Sequence, residues 1–435
     1  MIKRDKLEPV YRRGMVLFAL TLFMSCLIPA LPAPALADGI GWEEAWRVIR
    51  ENNPGLKAVR QSVAGAQATM KLSALPTKVT VALSGTAAKE EGDRSSSSAG
   101  ISLSYNTSLS GRENAIIGAE RSAVKEAETL LEVATLDLYR NAAVSFWGAA
   151  AGEASVRAGE EEIDKRLAFL ADAKLRFAQG MVPELDVMRA ESALAESRHS
   201  LALLEARRSG FAAMLKGLAG WMDISPAAGL FDPDEKISPR TSPPDFPSVV
   251  QSHPSVRKAV WAVEKAASLA KAAEMASTPS LSLTATRTLV TDGTASQQYT
   301  QDDWWGRATL SIPVIDGGLT RWTVARAQAG LASAEAALGA AKATVMMNLF
   351  SAWEDHVAAV RGLEAEQTRF ALVSREREIV LLRYREGLAN QIEVLDAQTK
   401  FADSMASLID ARRGLLVAEA ALASAEGKIP GEHEH

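Results

Sequence analysis

The sequence predicts a mainly α-helical fold with a small β part, built from duplicated long antiparallel helical hairpins and four β-strands. Three observations lead to this prediction: two very long proline-free stretches, two related glycine turns, and two pairs of short segments with alternating apolar residues. Only 6% of the 435 residues are aromatic, whereas 47% are hydrophobic. Such a composition suits close helix–helix packing better than a thick aromatic core.

A helical turn occurs twice in the sequence, 207 residues apart. Residues 176–191 read RFAQGMVPELDVMRAE, and residues 383–398 read RYREGLANQIEVLDAQ. Gly180 aligns with Gly387, and each glycine permits a backbone reversal because it adopts positive φ at little cost. Pro183 then suits the first turn of the helix that returns. The repeat indicates that the chain is an internal duplication.

The two halves also begin alike and show the same order of elements. Residues 53–57 read NPGLK and residues 253–257 read HPSVR, at the slightly shorter interval of 200. Each half is predicted to contain a short amphipathic helix, a pair of strands, a very long helix, the glycine turn and a return helix of about 40 residues. The predicted short helices are 42–74 and 247–276, and the long ones are 112–178 and 319–386. The strand segments alternate apolar and small polar residues: Val79 to Ser84, Ile101 to Tyr105, Leu281 to Ala285 and Ala308 to Val314.

The long helices imply an elongated molecule. Sixty-seven residues without proline, at 1.5 Å each, span ~100 Å if the helix is unbroken. The return helices have apolar residues at intervals of three, four and seven, which is typical of antiparallel coiled-coil hairpins. The sequence therefore predicts long coiled-coil hairpins, and no globular domain of this size needs such a rod.

Composition divides the chain into five parts. Residues 1–37 resemble an export signal, with a basic start, an apolar run and a small-x-small site ending at Ala37. The predicted repeats are 38–223 and 248–428, joined by a proline-rich linker at 224–247 and followed by a flexible tail at 429–435. Cys26 is the only cysteine and lies within the signal. Cleavage after Ala37 and lipidation of Cys26 are both compatible with this segment.

The mature part is not expected to bind nucleic acid or to act as an enzyme. The whole chain carries −5 and its first 37 residues have five basic and two acidic side chains, so the remainder carries −8. It contains no cysteine nucleophile, no phosphate-binding glycine loop and only scattered histidines, apart from the His433 and His435 tail. No cofactor and no metal site are predicted.

Four strands are too few to close a membrane barrel. Bacterial outer-membrane barrels need at least about 8 strands, and an open sheet cannot span lipid because its edges leave backbone groups without hydrogen bonds. Three copies of the chain would supply twelve strands, with apolar faces toward lipid and serine and threonine faces toward water. Trp304 and Trp305 are expected just before the fourth strand, in an interfacial aromatic belt. The segments Ala87–Ser98 and Val290–Asp303 are expected to form external loops.

The sequence contains an Asn-Pro-x-Leu start at residue 53, an Asp-Gly-Gly segment at 316–318 and two Arg-(Phe/Tyr)-x-x-Gly tips. In their order along the chain, these motifs resemble those of the TolC-like outer-membrane efflux proteins. The resemblance covers nearly all of the mature chain. It implies a homotrimer with a 12-stranded transmembrane β-barrel in the outer membrane of a Gram-negative bacterium and a long α-helical barrel in the periplasm. It also implies passive export, with a periplasmic adaptor and an inner-membrane RND or ABC transporter as partners.

The resemblance also assigns roles to residues at the tips. It implies that an adaptor docks at the two tips, on Arg176, Gly180, Asp186, Arg383, Tyr384 and Gly387. It implies that Glu393 and Asp396, which share a helix face, form the periplasmic aperture of the trimer. From spacing alone, the tips are ordinary hairpin turns and the two acids a solvated helix start. One departure concerns residues 388–391 of the second tip, which include no basic residue, so that Asp186 is expected to have no basic partner on the neighbouring tip.

Two other functions are compatible with the elements alone. A periplasmic adaptor also contains a long helical hairpin, but usually one rather than two. A structural coiled-coil envelope protein would need no strands. The transported substrate is not specified by the sequence.

Overall fold

The structure is a computed structural model that describes residues 39–75, 79–90, 94–227, 231, 240, 242–293 and 304–430. The predicted signal at 1–37, with Cys26 and its alternative processing sites, lies outside the described residues. The same holds for half of the predicted linker and for residues 431–435 of the tail. None of the described helices is long and apolar enough to cross a membrane.

Each half contains, in the predicted order, two short helices, two strands and the two long helices of a hairpin. The first half consists of α1 (Trp42–Asn52), α2 (Pro54–Ala74), β1 (Val79–Glu90), β2 (Arg94–Ser108), α3 (Arg112–Ala178) and α4 (Glu184–Leu218). The second half consists of α5 (Phe246–Ser252), α6 (Pro254–Glu274), β3 (Ser280–Gly293), β4 (Trp304–Ser311), α7 (Leu319–Arg385) and α8 (Gln391–Ala425). A single turn of 3₁₀ helix at Met275–Ser277 follows α6.

The duplication is more regular than the sequence indicated. Helices α3 and α7 both have 67 residues, and α4 and α8 both have 35. Three pairs of glycines with positive φ separate these helices at the same interval of 207 residues. They are Gly111 and Gly318, Gly180 and Gly387, and Gly220 and Gly427. The common interval shows that both halves keep one backbone plan from the end of the sheet to the end of the return helix.

The predicted single helices at 42–74 and 247–276 are wrong in one respect, because each is broken in two. The breaks fall at Asn53 and His253, whose ψ angles of 122° and 134° are extended. The following prolines disfavour the α conformation at these positions. Each side chain then caps the next helix: Asn53 Oδ1 accepts from Leu56 N at 2.8 Å, and His253 Nδ1 accepts from Ser255 N at 3.1 Å. Burial lowers the pKa of His253, which keeps this nitrogen available as an acceptor.

The four strands form one antiparallel sheet in the order β1-β2-β3-β4. Cross-strand partners such as Val81 with Leu103 and Leu281 with Leu310 place apolar residues of all four strands on one face. Thr80, Ser102, Thr284 and their neighbours form the other face. The predicted alternation is therefore confirmed in the four segments, whereas the register of β2 with β3 shifts farther along, between Ala99 and Gly100. β1 and β4 are the two edges of this sheet, which is open within one chain.

The strands are longer than predicted, and the expected loops are correspondingly shorter. β1 continues to Glu90 and β2 begins at Arg94, so most of the segment predicted as the first external loop is paired strand. β3 likewise continues to Gly293. Trp304 and Trp305 do not precede β4 but begin it, on opposite faces: Trp304 lies opposite Arg287, and Trp305 opposite Thr286. Both tryptophans are exposed.

The long helices pack side by side as a wall in the order α4-α3-α8-α7. Hairpin α3–α4 is tightly packed at Gly148, where an added Cβ would lie 2.4 Å from the ring of Phe211. Near the middle of α3, Trp42, Trp46, Tyr139, Phe146 and Trp147 form an aromatic cluster. Five of the 25 aromatic residues of the chain are thus gathered where α1 covers α3.

The linker is attached to both halves at the residues that are described. Phe231 packs in a small core with Ala150, Ala151 and Ile409. The carbonyl of Arg240 lies 3.0 Å from Nε2 of His356, a fully buried residue of α7. α5 begins at Phe246, next to the predicted linker end at 247.

Candidate functional site

The two hairpin tips are built by the same backbone motif. Gly180 and Gly387 both have φ of 72°, the left-handed conformation in which glycine is favoured. At the first tip, Gly180 N donates to Phe177 O at 2.9 Å and Met181 N donates to Arg176 O at 2.9 Å. The second tip repeats these bonds, from Gly387 N to Tyr384 O at 3.1 Å and from Leu388 N to Arg383 O at 2.8 Å. Both long helices thus end in a Schellman motif, which explains why glycine recurs at this spacing.

The return helices begin differently at the two tips. Pro183 is the N-cap of α4 rather than a residue of its first turn, so the predicted position is wrong by one residue. At the second tip Asn390 is the N-cap, and its Oδ1 accepts from Glu393 N at 2.9 Å. Glu393 Oε1 accepts in return from Asn390 N at 3.3 Å, which completes a capping box. Glu393 therefore stabilises the start of α8 in addition to any role of its charge.

The structure brings the two tips into contact. The Arg176 guanidinium lies 4.8 Å from the ring centroid of Tyr384, and the amide Nε2 of Gln391 donates to Asp186 O at 2.7 Å. Beneath these contacts, Val394 is fully buried with Phe169. Sequence reasoning missed Gln391, although it is only 5% exposed, because no spacing rule identifies an amide that joins two hairpins. Burial raises the pKa of Tyr384, so that its phenol remains neutral beside the charged groups.

The ionic partner of Asp186 comes from its own helix and not from the neighbouring tip. Its Oδ1 lies 3.4 Å from Nη1 of Arg189, one turn later in α4. At the second tip, Arg383 Nη1 lies 3.8 Å from Glu393 Oε2, while Arg383 Nη2 donates to Leu388 O at 3.2 Å. Both tips therefore contain acids whose charge is balanced by arginines of the same chain.

Asp396 is also paired within the chain. Lys400 Nζ lies 2.8 Å from Asp396 Oδ2 and 3.4 Å from Glu376 Oε1 on the neighbouring α7. Hydrogen bonds to these two carboxylates raise the pKa of Lys400, so its positive charge persists at neutral pH. The side chains of Glu393 and Asp396 are 41% and 58% exposed, and both are accessible to ions at the end of the wall.

Both tips expose large apolar side chains at equivalent positions. Met181 is 70% exposed and Leu388, 207 residues later, is 69% exposed. The same correspondence holds for Leu185 with Ile392, which are 53% and 52% exposed. Isolated exposed apolar residues are common on protein surfaces, but a group repeated at two adjacent tips is typical of an interaction site. Among the described residues, no group of three or more histidine, aspartate or glutamate side chains could hold a metal ion.

Comparison with known proteins identifies relatives for both repeats. The family model for outer membrane efflux proteins matches residues 47–220 and 247–428. Outer membrane efflux protein BepC of Brucella suis biovar 1 (strain 1330) is 23% identical over 194 residues, or 45% of this chain and 42% of BepC. The chain thus aligns with less than half the length of this curated relative.

Solved structures share the fold over almost the whole chain. A membrane protein from Pseudomonas aeruginosa is 18% identical with a TM-score of 0.78, covering 91% of this chain and 96% of that one. The Campylobacter jejuni CmeC outer membrane channel is 16% identical with a TM-score of 0.78, covering 88% and 85% of the two chains. The predicted fold class is confirmed by these structures, and the predicted resemblance and outer-membrane location by the family match. The family is one of efflux proteins and not of enzymes, and this chain belongs to the outer membrane efflux protein family.

Proposed function

We propose that three copies of this chain form an outer-membrane duct that conducts substrates passively from the periplasm to the exterior. The sheets together form a 12-stranded barrel in the membrane, and the helical walls form a tube below it. A periplasmic adaptor docks at the hairpin tips and connects the duct to an inner-membrane pump of the RND or ABC type. The pump supplies the energy, and the duct supplies the path.

The sheet is the observation that supports this proposal most strongly. Its apolar face is exposed in the single chain: Val81 is 67% exposed, Leu83 76% and Leu310 56%. Such a face suits contact with lipid, while the serine and threonine face suits a water-filled interior. With four antiparallel strands per chain, β4 of one copy runs antiparallel to β1 of the next. Every pair of neighbouring strands in the barrel is therefore antiparallel, and no strand edge is left unpaired in lipid.

The helical wall supports the tube by the same reasoning. α4 and α7 lie at the two edges of the wall, as β1 and β4 lie at the edges of the sheet. A second copy can continue the wall at each edge, so sheet and wall close together. The two alternatives that the sequence left open, an adaptor and a structural coiled-coil protein, explain neither the duplicated wall nor the lipid-compatible sheet.

The tips supply the proposed docking surface and aperture. Met181 and Leu388 present apolar area on both hairpins. Their positions are fixed by the residues that build the two turns: Arg176, Gly180, Asp186, Arg383, Tyr384 and Gly387. Glu393 and Asp396 of three copies place six carboxylates at the end of the tube, an arrangement that favours cations. Their partners Arg383 and Lys400 weaken this preference, because they return positive charge to the same constriction.

Disulfide crosslinking tests the closure of the barrel. Cys26 is the only cysteine of the sequence, so in a Cys26→Ser background the engineered cysteines are the only thiols. We expect Val81→Cys on β1, combined with Leu310→Cys or Ala308→Cys on β4, to give covalent trimers in the outer-membrane fraction after oxidation. These residues share the apolar face of the sheet, where paired side chains of adjacent strands approach each other.

Thr80→Cys combined with the same β4 cysteines is the matched control, because Thr80 lies on the opposite face. Equal crosslinking by the Thr80 and Val81 variants would contradict the proposed edge-to-edge closure. A protein recovered from the soluble or inner-membrane fraction would contradict the duct and favour an adaptor or a structural protein.

Conductance in planar bilayers tests the aperture. We expect Glu393→Gln with Asp396→Asn to weaken cation selectivity, because the ring of negative charge at the constriction is removed. Glutamine can still complete the capping box with Asn390, so the start of α8 is retained. Lys400→Ala should have the opposite effect on selectivity, since it leaves Asp396 and Glu376 unneutralised. Glu335→Gln on α7 serves as the charge control, and unchanged traces for all aperture variants would contradict the assignment.

A further inference from the structure

A cavity of about 290 Å³ lies in the helical wall, well away from the glycine tips. Its floor is formed by α3 around Gly159, and its sides by α4 around Leu201 and by α8 around Phe401, with Phe370 of α7 at one end. The cavity thus joins the two halves of the duplication. Its volume is near the lower end of those that hold small organic ligands.

The floor of the cavity contains a buried ion pair. Glu162 and Arg166 are only 8% and 7% exposed, and Arg166 Nε lies 2.7 Å from Glu162 Oε1. Arg166 Nη2 also donates to Thr399 Oγ1 on α8 at 3.2 Å. The pair is neutral as a unit and fixed from both helices. It therefore offers polar contacts to a ligand without an excess of charge of either sign.

The walls are apolar and include an aromatic ring that already interacts with cations. Leu201, Leu204, Met405 and Ile409 line the cavity together with Phe401. Lys165, which also lines it, places its Nζ 5.8 Å from the Phe401 ring centroid, near the limit for a cation–π contact. The guanidinium of Arg377, outside the cavity lining, lies 4.2 Å from the same centroid. This ring thus has the electrostatic property that attracts organic cations.

The rim is negatively charged. Glu196 on α4 and Asp403 on α8 line the cavity and are exposed. Within the described ranges, neither carboxylate is within ion-pair distance of a basic side chain, whereas Glu161 lies 3.5 Å from Lys165. Two uncompensated carboxylates above an apolar, aromatic-lined cavity repel anions and attract cations.

We propose that this cavity binds a small amphipathic organic cation, one that combines a quaternary or protonated amine with an aromatic or aliphatic group. The apolar group occupies the space between Leu201, Leu204 and Phe401. The cationic group lies at the rim, near Glu196 and Asp403, and takes the place of the Lys165 ammonium beside the ring. Because the bound cation contacts both hairpins, it bridges the two halves of the wall. The inference needs only the folded chain and does not rest on the proposed export function.

Equilibrium binding of benzyltrimethylammonium tests the proposal. The purified full-length protein is reconstituted in lipid nanodiscs, with protein-free nanodiscs of the same lipid as the reference, and binding is measured by calorimetry. Benzenesulfonate, an anion with the same aromatic group, is the ligand control. We expect saturable binding of the cation that weakens as salt is added, and no saturable binding of the anion.

Variants with opposite expected effects make the test specific. Glu196→Gln with Asp403→Asn should weaken cation binding about fivefold to tenfold, because two attractive charges are lost. Lys165→Met should strengthen it severalfold, since the competing ammonium is removed from the ring. Ala406→Trp, at an exposed position of the lining, should block the cavity and abolish saturable binding. Asp410→Asn removes a charge from the same helix outside the lining and should leave affinity unchanged.

Helicity measured by circular dichroism confirms that each variant is folded. Absence of saturable cation binding to the parent protein, equal binding of cation and anion, or undiminished binding to the folded Ala406→Trp variant would each overturn the proposal. Trimer crosslinking through the barrel edges is measured separately, so failure of the cavity proposal and failure of the duct proposal are distinguishable.

Discussion

Replacement of Arg166 by methionine is expected to lower the free energy of unfolding by about 3–5 kcal/mol. Arg166 and Glu162 are more than nine-tenths buried, and the guanidinium hydrogen-bonds to Glu162 on its own helix and to Thr399 on α8. Without Arg166, Glu162 remains as an uncompensated charge in the wall between the two hairpins. Such a charge is far more costly than the loss of the pair itself. The measurement is the midpoint of urea-induced loss of helicity.

The double variant Glu162→Leu with Arg166→Met separates these two costs. Removal of both charges leaves apolar side chains of similar size, and we expect recovery of most of the lost stability. Lys165→Met is the matched control on the same turn of α3. Its ion pair with Glu161 is exposed, and exposed pairs within a helix contribute only about 0.3–0.5 kcal/mol. A small effect of Arg166→Met, or a double variant as unstable as the single one, would show that the pair does not hold the hairpins together.

The helical hairpins could be predicted because their signals are local. Absence of proline over 67 residues and a glycine at each turn define α3 and α7 almost to the residue. The sheet faces were predictable for the same reason, since alternation along Val79 to Ser84 already separates apolar from polar residues. The strand ends were not, because serine-rich and charged sequence at 87–98 resembles a loop until a partner strand supplies hydrogen bonds.

The extent of the duplication was underestimated because backbone conformation is retained where side chains are not. Gly111 and Gly318, like Gly220 and Gly427, adopt positive φ at equivalent positions, but their flanking sequences differ. At the interval of 207, comparison of the sequences finds only the tip, where arginine, glycine and acidic residues all recur. Comparison of glycine spacing alone would have revealed the full 207-residue period.

At the tips, some contacts could have been predicted from the sequence and others could not. Arg189 follows Asp186 by three residues and Lys400 follows Asp396 by four, spacings at which ion pairs form on a helix face. These partners could have been found from the sequence. Gln391 and the Arg166 cavity could not, because their contacts join residues more than 200 positions apart. The relative position of the two hairpins determines such contacts, and no local pattern specifies it.

We expect the double variant Met181→Asp with Leu388→Asp, which places aspartate at both exposed tip positions, to abolish docking of the adaptor. The two side chains are 70% and 69% exposed, and burial of each at an interface would contribute about 1.5–3 kcal/mol. Aspartate removes this contribution and adds the cost of burying a charge. A loss of about 3 kcal/mol per copy already corresponds to more than a hundredfold weaker binding. The measurement is recovery of adaptor and pump with the tagged protein from its native host.

The side chains of Met181 and Leu388 can be replaced without disturbing the fold of the tips. Both residues follow the glycine of a Schellman motif and contribute to it only through backbone N–H groups, which aspartate retains. Leu72→Asp is the matched control, because Leu72 is similarly exposed but lies on α2, near the sheet end of the wall. If the tip variants assemble as trimers and lose the adaptor, whereas Leu72→Asp keeps it, the apolar tips are the docking surface. If the tip variants retain the adaptor, docking uses other residues and the repeated apolar tips serve another contact.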